Sequence, residues 1–285
     1  MQKLYISFII LSGLLLPKYV FCMHQNNNID GSYVTIKYQL TTPHFKNFYI
    51  KETDFDTQEP IGLAKITANT KFDTLKENFS FSPLHQTDSY KSYQNDLLGI
   101  GLSVGLFVKS FRIEFEGAYK NFNTKRLARY KSKDGYKYFA IPRKSEHGFL
   151  DNTFGYTVAK NNGISIISNI INLCSETKYK AFTPYICIGV GGDFIEIFDV
   201  MRIKFAYQGK VGVSYPITSK LILSINGQYH KVIGNKFELL PVYQPVELKR
   251  LVTNKTSKDI DQDVTASLTL NLEHFSSEIG LSFIF

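Results

Sequence analysis

The 285-residue sequence contains no tryptophan, only three cysteines, and a charged fraction of just 20%. Beyond its first 22 residues it also lacks any run of the ~20 apolar residues that a membrane-crossing helix needs. That excludes a helical membrane domain there. No unit of about 20–50 residues recurs, so a solenoid or propeller is excluded. No interdomain linker interrupts the chain, which leaves one domain. The six histidines, His24, His44, His85, His147, His230 and His274, are scattered, and none stands at zinc-site spacing from another histidine or a cysteine. "GIGLSVG" (99–105) and "GVGGD" (189–193) are rich in glycine, but neither opens a helix or carries the lysine of a phosphate loop. "DIDQD" (259–263) has the first spacing of a calcium loop, yet Val264 stands where that loop needs glycine and Leu270 where it needs glutamate. These absences exclude the familiar catalytic and cofactor classes. The expectation is no enzyme, no metal site and no cofactor.

What is present is aromatic and strand-forming. There are 18 tyrosines and 23 phenylalanines, and 44% of the chain is hydrophobic at a mean hydropathy of −0.13. The N-terminus differs from the rest. Lys3 precedes the apolar stretch 4–16, Pro17 breaks it, and Val20 and Cys22 occupy the −3 and −1 positions of a cleavage site. Residues 1–22 therefore read as a secretory signal peptide. The bulky Phe21 argues against lipid attachment at Cys22. Cleavage removes Lys3 and Lys18 and no acid, so the formal charge falls from +8 to +6. Two cysteines remain, Cys174 and Cys187. In an exported chain they form a disulfide candidate that would staple one hairpin; the alternative is two buried free thiols.

The strongest pattern is alternation. In "DIDQDVTASLTLNLE" (259–273) every odd position is polar, and every even position except Gln262 is apolar. Period two over that length is a long strand with two unlike faces. The same grammar recurs near 31–41, 96–108, 111–122, 163–174, 183–193, 202–215, 219–231 and 259–285. That gives eight strands, or ten or twelve if "YKYFAI" (136–141) and residues 149–158 join them. Short turns near 109–110, 175–182 and 216–219 alternate with long links near 41–95, 123–162, 194–201 and 231–258. The expected fold is all-β: a closed antiparallel transmembrane β-barrel of residues 23–285, with those four links as external loops. A sheet in lipid must close, because an open edge strands unpaired N–H and C=O groups in hydrocarbon. Arg112, Glu114, Glu116, Lys120, Thr269, Asn271 and Glu273 are the expected lumen residues. Apolar parity switches between Leu272 and Ile279, which predicts a β-bulge in the last strand.

Five stretches in order, "GSYVTIKY" (31–38), "FRIEFEGAYKNF" (111–122), "PYICIGVGGD" (184–193), "YQGKVGVSYPIT" (207–218) and "EIGLSFIF" (278–285), resemble the major surface antigen family of ehrlichial and anaplasmal outer membranes. The resemblance implies a Gram-negative barrel with immunodominant, surface-exposed loops, and some members of that family are described as porins. "GLSFIF" also resembles the C-terminal recognition signal of outer-membrane barrels. Gly280, Phe283 and Phe285 would then be read by the barrel-assembly machinery.

Residues 123–147 carry eight basic side chains, Lys125, Arg126, Arg129, Lys131, Lys133, Lys137, Arg143 and Lys144, against Asp134 and Glu146. On an exported barrel such a loop suits an anionic host-surface ligand rather than nucleic acid. The plain alternative is a solvated loop. The expected function is thus a bacterial outer-membrane surface antigen whose exposed loops contact host surfaces. Its partners would be outer-membrane lipid, the assembly machinery and an anionic host ligand. Two alternatives stay open: a porin-like channel for small solutes, and a soluble secreted β-barrel binding an internal ligand.

Overall fold

The computed structural model describes residues 31–53, 55–62, 91–108, 110–126, 135–142, 156–179, 181–246 and 265–285. The signal peptide lies outside them. In chain order the strands are β1 (Gly31–Pro43), β2 (Lys46–Glu52), β3 (Ile61–Gly62), β4 (Asp96–Val108), β5 (Phe111–Phe122), β6 (Tyr138–Pro142) and β7 (Tyr156–Lys160). They continue as β8 (Ile164–Glu176), β9 (Thr183–Ile197), β10 (Val200–Pro216), β11 (Leu221–Val232), β12 (Lys236–Pro241), β13 (Tyr243–Val246), β14 (Thr265–Asn271) and β15 (Glu273–Ile284).

Eight of them close a barrel in the order β1-β15-β11-β10-β9-β8-β5-β4, every pair antiparallel. The apolar C-terminal strand is the closing strand, hydrogen-bonded to β1 on one side and β11 on the other. One perpendicular walk fixes the geometry. It runs from Thr41 through Ser276, Gln228, Lys210, Cys187, Cys174, Arg112 and Phe107, and it returns to β1 at Gly31, ten residues from its start. Eight strands with that stagger must tilt by about 40°, and their interior is just wide enough for side chains.

Outward side chains form an apolar belt. Ile36, Ile100, Phe115, Ile171, Ile188, Val211, Ile225 and Ile279 are all exposed. Aromatics mark its two ends: Phe111, Phe182, Tyr215, Phe283 and Phe285 near the short turns, and Tyr38, Tyr119, Tyr207 and Phe275 at the other. A continuous apolar girdle with aromatic rims matches a hydrocarbon slab and would be untenable in water. That removes the soluble-barrel alternative. The start of β1 and the C-terminus meet at the turn end, where the Phe285 amide donates to the Ser32 carbonyl.

Beyond the belt, at the opposite end, the barrel continues as a lobe. β2, β12 and β14 prolong β1, β11 and β15 as a three-stranded sheet, and β13-β7-β6-β3 form a second sheet. "YKYFAI" and part of 149–158 thus supply β6 and β7 of the lobe, and the barrel stays at eight strands. The links near 41–95, 123–162 and 231–258 carry these strands rather than running as bare loops. The link near 194–201 shrinks to a two-residue turn. Val200 pairs with Ile197, and Phe198 and Asp199 take φ of 51° and 61°, the double positive φ of a type I′ hairpin. Phe198 tolerates that backbone because its ring is buried against Phe139, with centroids 6.0 Å apart.

The lobe corrects the reading of the last strand. No bulge is needed. Even-numbered residues point inward throughout, from Ala266, Leu268, Leu270 and Leu272 to His274, Ser276, Glu278 and Ser282. What changes is the interior. In the lobe it is an apolar core of Phe122, Ile164, Ile166, Ile195, Phe237, Leu268 and their neighbours, and in the barrel it is polar. Water surrounds the lobe and lipid surrounds the barrel, so the apolar face swaps sides at the rim without the strand turning over.

Candidate functional site

Two regions can carry function: the barrel interior and the lobe.

At the turn end of the interior, Tyr33 lies over Gly105, where a Cβ would come within 2.4 Å of its ring. Arg112 stacks on Tyr185 at 4.6 Å and donates from Nη1 to Glu176 at 2.6 Å. Beside it Cys174 and Cys187 are register partners with Cα atoms 4.0 Å apart, joined as a disulfide that faces the lumen.

The middle holds a belt of buried ions. Lys37 Nζ donates to Glu114 at 2.5 Å and also to Glu116. Lys210 Nζ donates to Glu116 at 2.5 Å and to Glu278 at 3.1 Å. Tyr33 Oη donates to Glu114 at 2.8 Å, and the Gln39 amide donates to Glu278 at 2.5 Å. The belt therefore ties β1, β5, β10 and β15 together across the bore. Each carboxylate needs such partners, because a buried unpaired charge is costly.

Above the belt His230 contacts Asp193 at 2.7 Å, and its ring stacks on that of His274, with centroids 4.7 Å apart and planes 16° from parallel. Phe122 then closes the interior, 5.8 Å from the His274 ring. Among the described residues no group of three or more His, Cys, Asp or Glu could hold a metal.

Of the expected lumen residues, Arg112, Glu114, Glu116 and Lys120 are buried inside the barrel. Thr269 and Asn271 are not lumen residues. They lie on the outer face of β14 in the lobe, where water rather than lipid meets the strand, so the polar side turns outward. Glu273 also lies on the outer face, at the rim. It accepts a hydrogen bond from Tyr229 Oη at 2.9 Å and pairs with Lys46 at 2.9 Å. Gly280 faces inward against Ser224, and Phe283 and Phe285 face outward. Lys125 and Arg126 are exposed beyond the end of β5, and Lys137 is half-buried. Arg129, Lys131, Lys133, Arg143 and Lys144 lie outside the described residues.

Sequence reasoning missed Lys37, Lys210, Glu278, Asp193 and the histidine pair. Lys37 does carry a signal, since it is the single charge on the polar face of β1, whereas Lys210 shares its face of β10 with Arg202 and Lys204 and does not stand out. His230 and His274 carry none. They are 44 positions apart, and only the register that pairs them brings the rings together.

Side chains from Tyr33 to Phe122 cross the described interior and contact one another over its length. The refolded protein is expected to give no conductance steps in planar bilayers at neutral pH. Reproducible single-channel steps would show that the interior opens.

Residues 25–285 match the family model described as "Surface antigen". Major surface antigen 4 of Anaplasma marginale is 25% identical over 255 residues, covering 89% of this chain and 83% of that protein. Among solved structures, the outer membrane protein OprG from Pseudomonas aeruginosa is matched over 90% of this chain and 96% of its own, with a TM-score of 0.47 and 13% identity. Neisserial surface protein A is matched over 90% and 97%, with a TM-score of 0.40 and 9% identity.

Proposed function

We propose, given that this chain belongs to the surface antigen family, that its lobe stands outside the cell and is the part that contacts host surfaces. The protein is an outer-membrane surface antigen. The observation that carries the finer reading is the asymmetry of the two ends. Among the described residues one has only short turns, the start of β1 and the C-terminus. The other carries the described strands of the long connections, folded as a lobe with an apolar core and a polar exterior. In outer-membrane barrels short turns belong to the periplasmic rim and long loops to the outside.

The basic stretch 123–147 leaves from this end, at Lys125 and Arg126. Its six net positive charges suit an anionic polymer, and such binding weakens as salt rises. The channel alternative finds no support in the packed interior.

The test has two arms. Protease added to intact cells should cut within 123–147 before it reaches the turn 217–220; cleavage in the reverse order overturns the orientation. Refolded protein should bind immobilised sulfated polysaccharide in low salt. Replacing Lys125, Arg126, Arg129, Lys131 and Lys133 by glutamine should cut that binding at least tenfold. Equal binding by the variant overturns the role of the basic stretch.

A further inference from the structure

The outer surface at the rim has a charge pattern that neither the family nor the lobe explains. Two register rows cross the β10–β11–β15–β1 wall there. The row nearer the lipid belt holds Tyr229, Phe275 and Thr42, with the Tyr229 and Phe275 rings 5.1 Å apart. The next row toward the lobe runs Tyr207, Lys231 and Glu273, and His44 follows, its amide bonded to the Glu273 carbonyl. Lys46 reaches down from β2. Three basic groups thus surround one carboxylate: Lys46 at 2.9 Å, Lys231 at 3.7 Å and His44 at 3.8 Å. The Glu273 side chain is only 10% exposed, whereas those of Lys46 and Lys231 are 52% and 41% exposed. Glu273 also accepts from Tyr229, and its one negative charge offsets only one of the two lysines, so the cluster keeps a net positive charge.

The position of this cluster decides what can meet it. The tilted Tyr229–Phe275 pair marks the edge of the hydrocarbon, and the cations stand one residue pair beyond it, at headgroup depth. Among the described residues the opposite wall has no match: its corresponding row is Asn121, Ser165 and Glu196.

We propose that the seam of His44, Lys46 and Lys231 binds the phosphate of an anionic lipid headgroup, with the acyl chain lying on Phe275 and Tyr229. The lipid surface is the one anion source that reaches this depth, and the cluster has net positive charge against a phosphate's negative charge. The arrangement makes one side of the barrel prefer anionic lipid.

The test uses the full refolded chain in nanodiscs that mix phosphatidylglycerol and phosphatidylcholine of identical acyl chains, with the lipids retained by the protein read by native mass spectrometry. One lysine near a membrane surface favours an anionic headgroup about fivefold. Net of Glu273, a preference for phosphatidylglycerol of about fivefold is expected. K46Q/K231Q should abolish it. Glu273→Gln, which keeps the acceptor for Tyr229 but removes the competing charge, should raise it about another fivefold. Lys236→Gln, exposed on β12 of the lobe and beyond the seam, should leave it unchanged. Absence of preference in the parent overturns the proposal, as does equal loss in Lys236→Gln. If K46Q/K231Q keeps its lipid preference but loses binding to soluble sulfated polysaccharide, the seam serves a polyanion in solution and the lipid assignment fails.

Discussion

Lys210→Met will lower the unfolding free energy of the refolded barrel by about 3–5 kcal/mol. Among the described residues Lys210 is the only cation in contact with Glu278, and it is one of two that hold Glu116. Its removal leaves Glu278 with the Gln39 amide alone, in an interior where neither side chain meets solvent. Methionine restores most of the lysine's volume, so the loss reads charge rather than a cavity. The double variant Lys210→Met with Glu278→Leu removes both members, while Glu116 keeps Lys37. It should recover most of the loss, because a buried ion pair replaced by apolar groups of similar size is often neutral. The measurement is urea unfolding in lipid vesicles, followed by far-UV circular dichroism since the chain has no tryptophan. A loss below about 1 kcal/mol in the single variant would resemble an exposed pair. It would mean that water reaches the belt, and it would revive the channel reading.

The barrel itself was legible in the sequence because lipid imposes a strict rule. In β1, Val34, Ile36, Tyr38 and Leu40 must meet hydrocarbon, so their parity cannot slip, and Thr35, Lys37 and Gln39 must face inward. The even strand count goes with β1 beginning and β15 ending at one rim. The lobe was not legible for the same reason in reverse. Above the rim the solvent is water, and an alternating strand such as β14 gives an identical pattern with the opposite face buried. Period two reports that the two faces differ, but it does not say which one faces in. Period two alone therefore puts Thr269 and Asn271 on the wrong side. The parity switch between Leu272 and Ile279 marks a change of solvent along the path from β14 to β15 and not a bulge. The inner site was half legible. Arg112, Glu114, Glu116 and Lys120 stand together on β5. Their partners Lys37, Lys210 and Glu278 come from three other strands, and pairing them requires the ten-residue stagger that no local pattern contains.

Leu270→Asp will unfold the lobe and leave the barrel standing. Leu270 is 1% exposed in the apolar core that β14 shares with Phe237, Ile50 and Phe122. Removing a buried leucine costs about 2–5 kcal/mol, and an unpaired carboxylate adds the cost of burying a polar group without a partner. A loss of about 4–5 kcal/mol exceeds what a small two-sheet lobe can absorb. Its neighbour Thr269 faces water between Tyr49 and Lys236, so Thr269→Asp should change stability by less than about 0.5 kcal/mol. Ile279→Asp supplies the lipid-side contrast. Ile279 faces lipid on the same strand path, so its penalty should reach at most ~2 kcal/mol and vary with depth in the bilayer. The measurement is amide hydrogen exchange of all three variants in detergent micelles and in vesicles, with heat-modifiable gel migration reporting the barrel. For Leu270→Asp, protection should vanish from β2, β12 and β14 in both media while β15 and its partners in the barrel stay protected. The Ile279→Asp defect should depend on the lipid. If Leu270→Asp instead behaves like Ile279→Asp, mild in micelles and worse in vesicles, then β14 lies in hydrocarbon, the polarity of the lobe is the reverse of that described, and Thr269 and Asn271 return to the lumen.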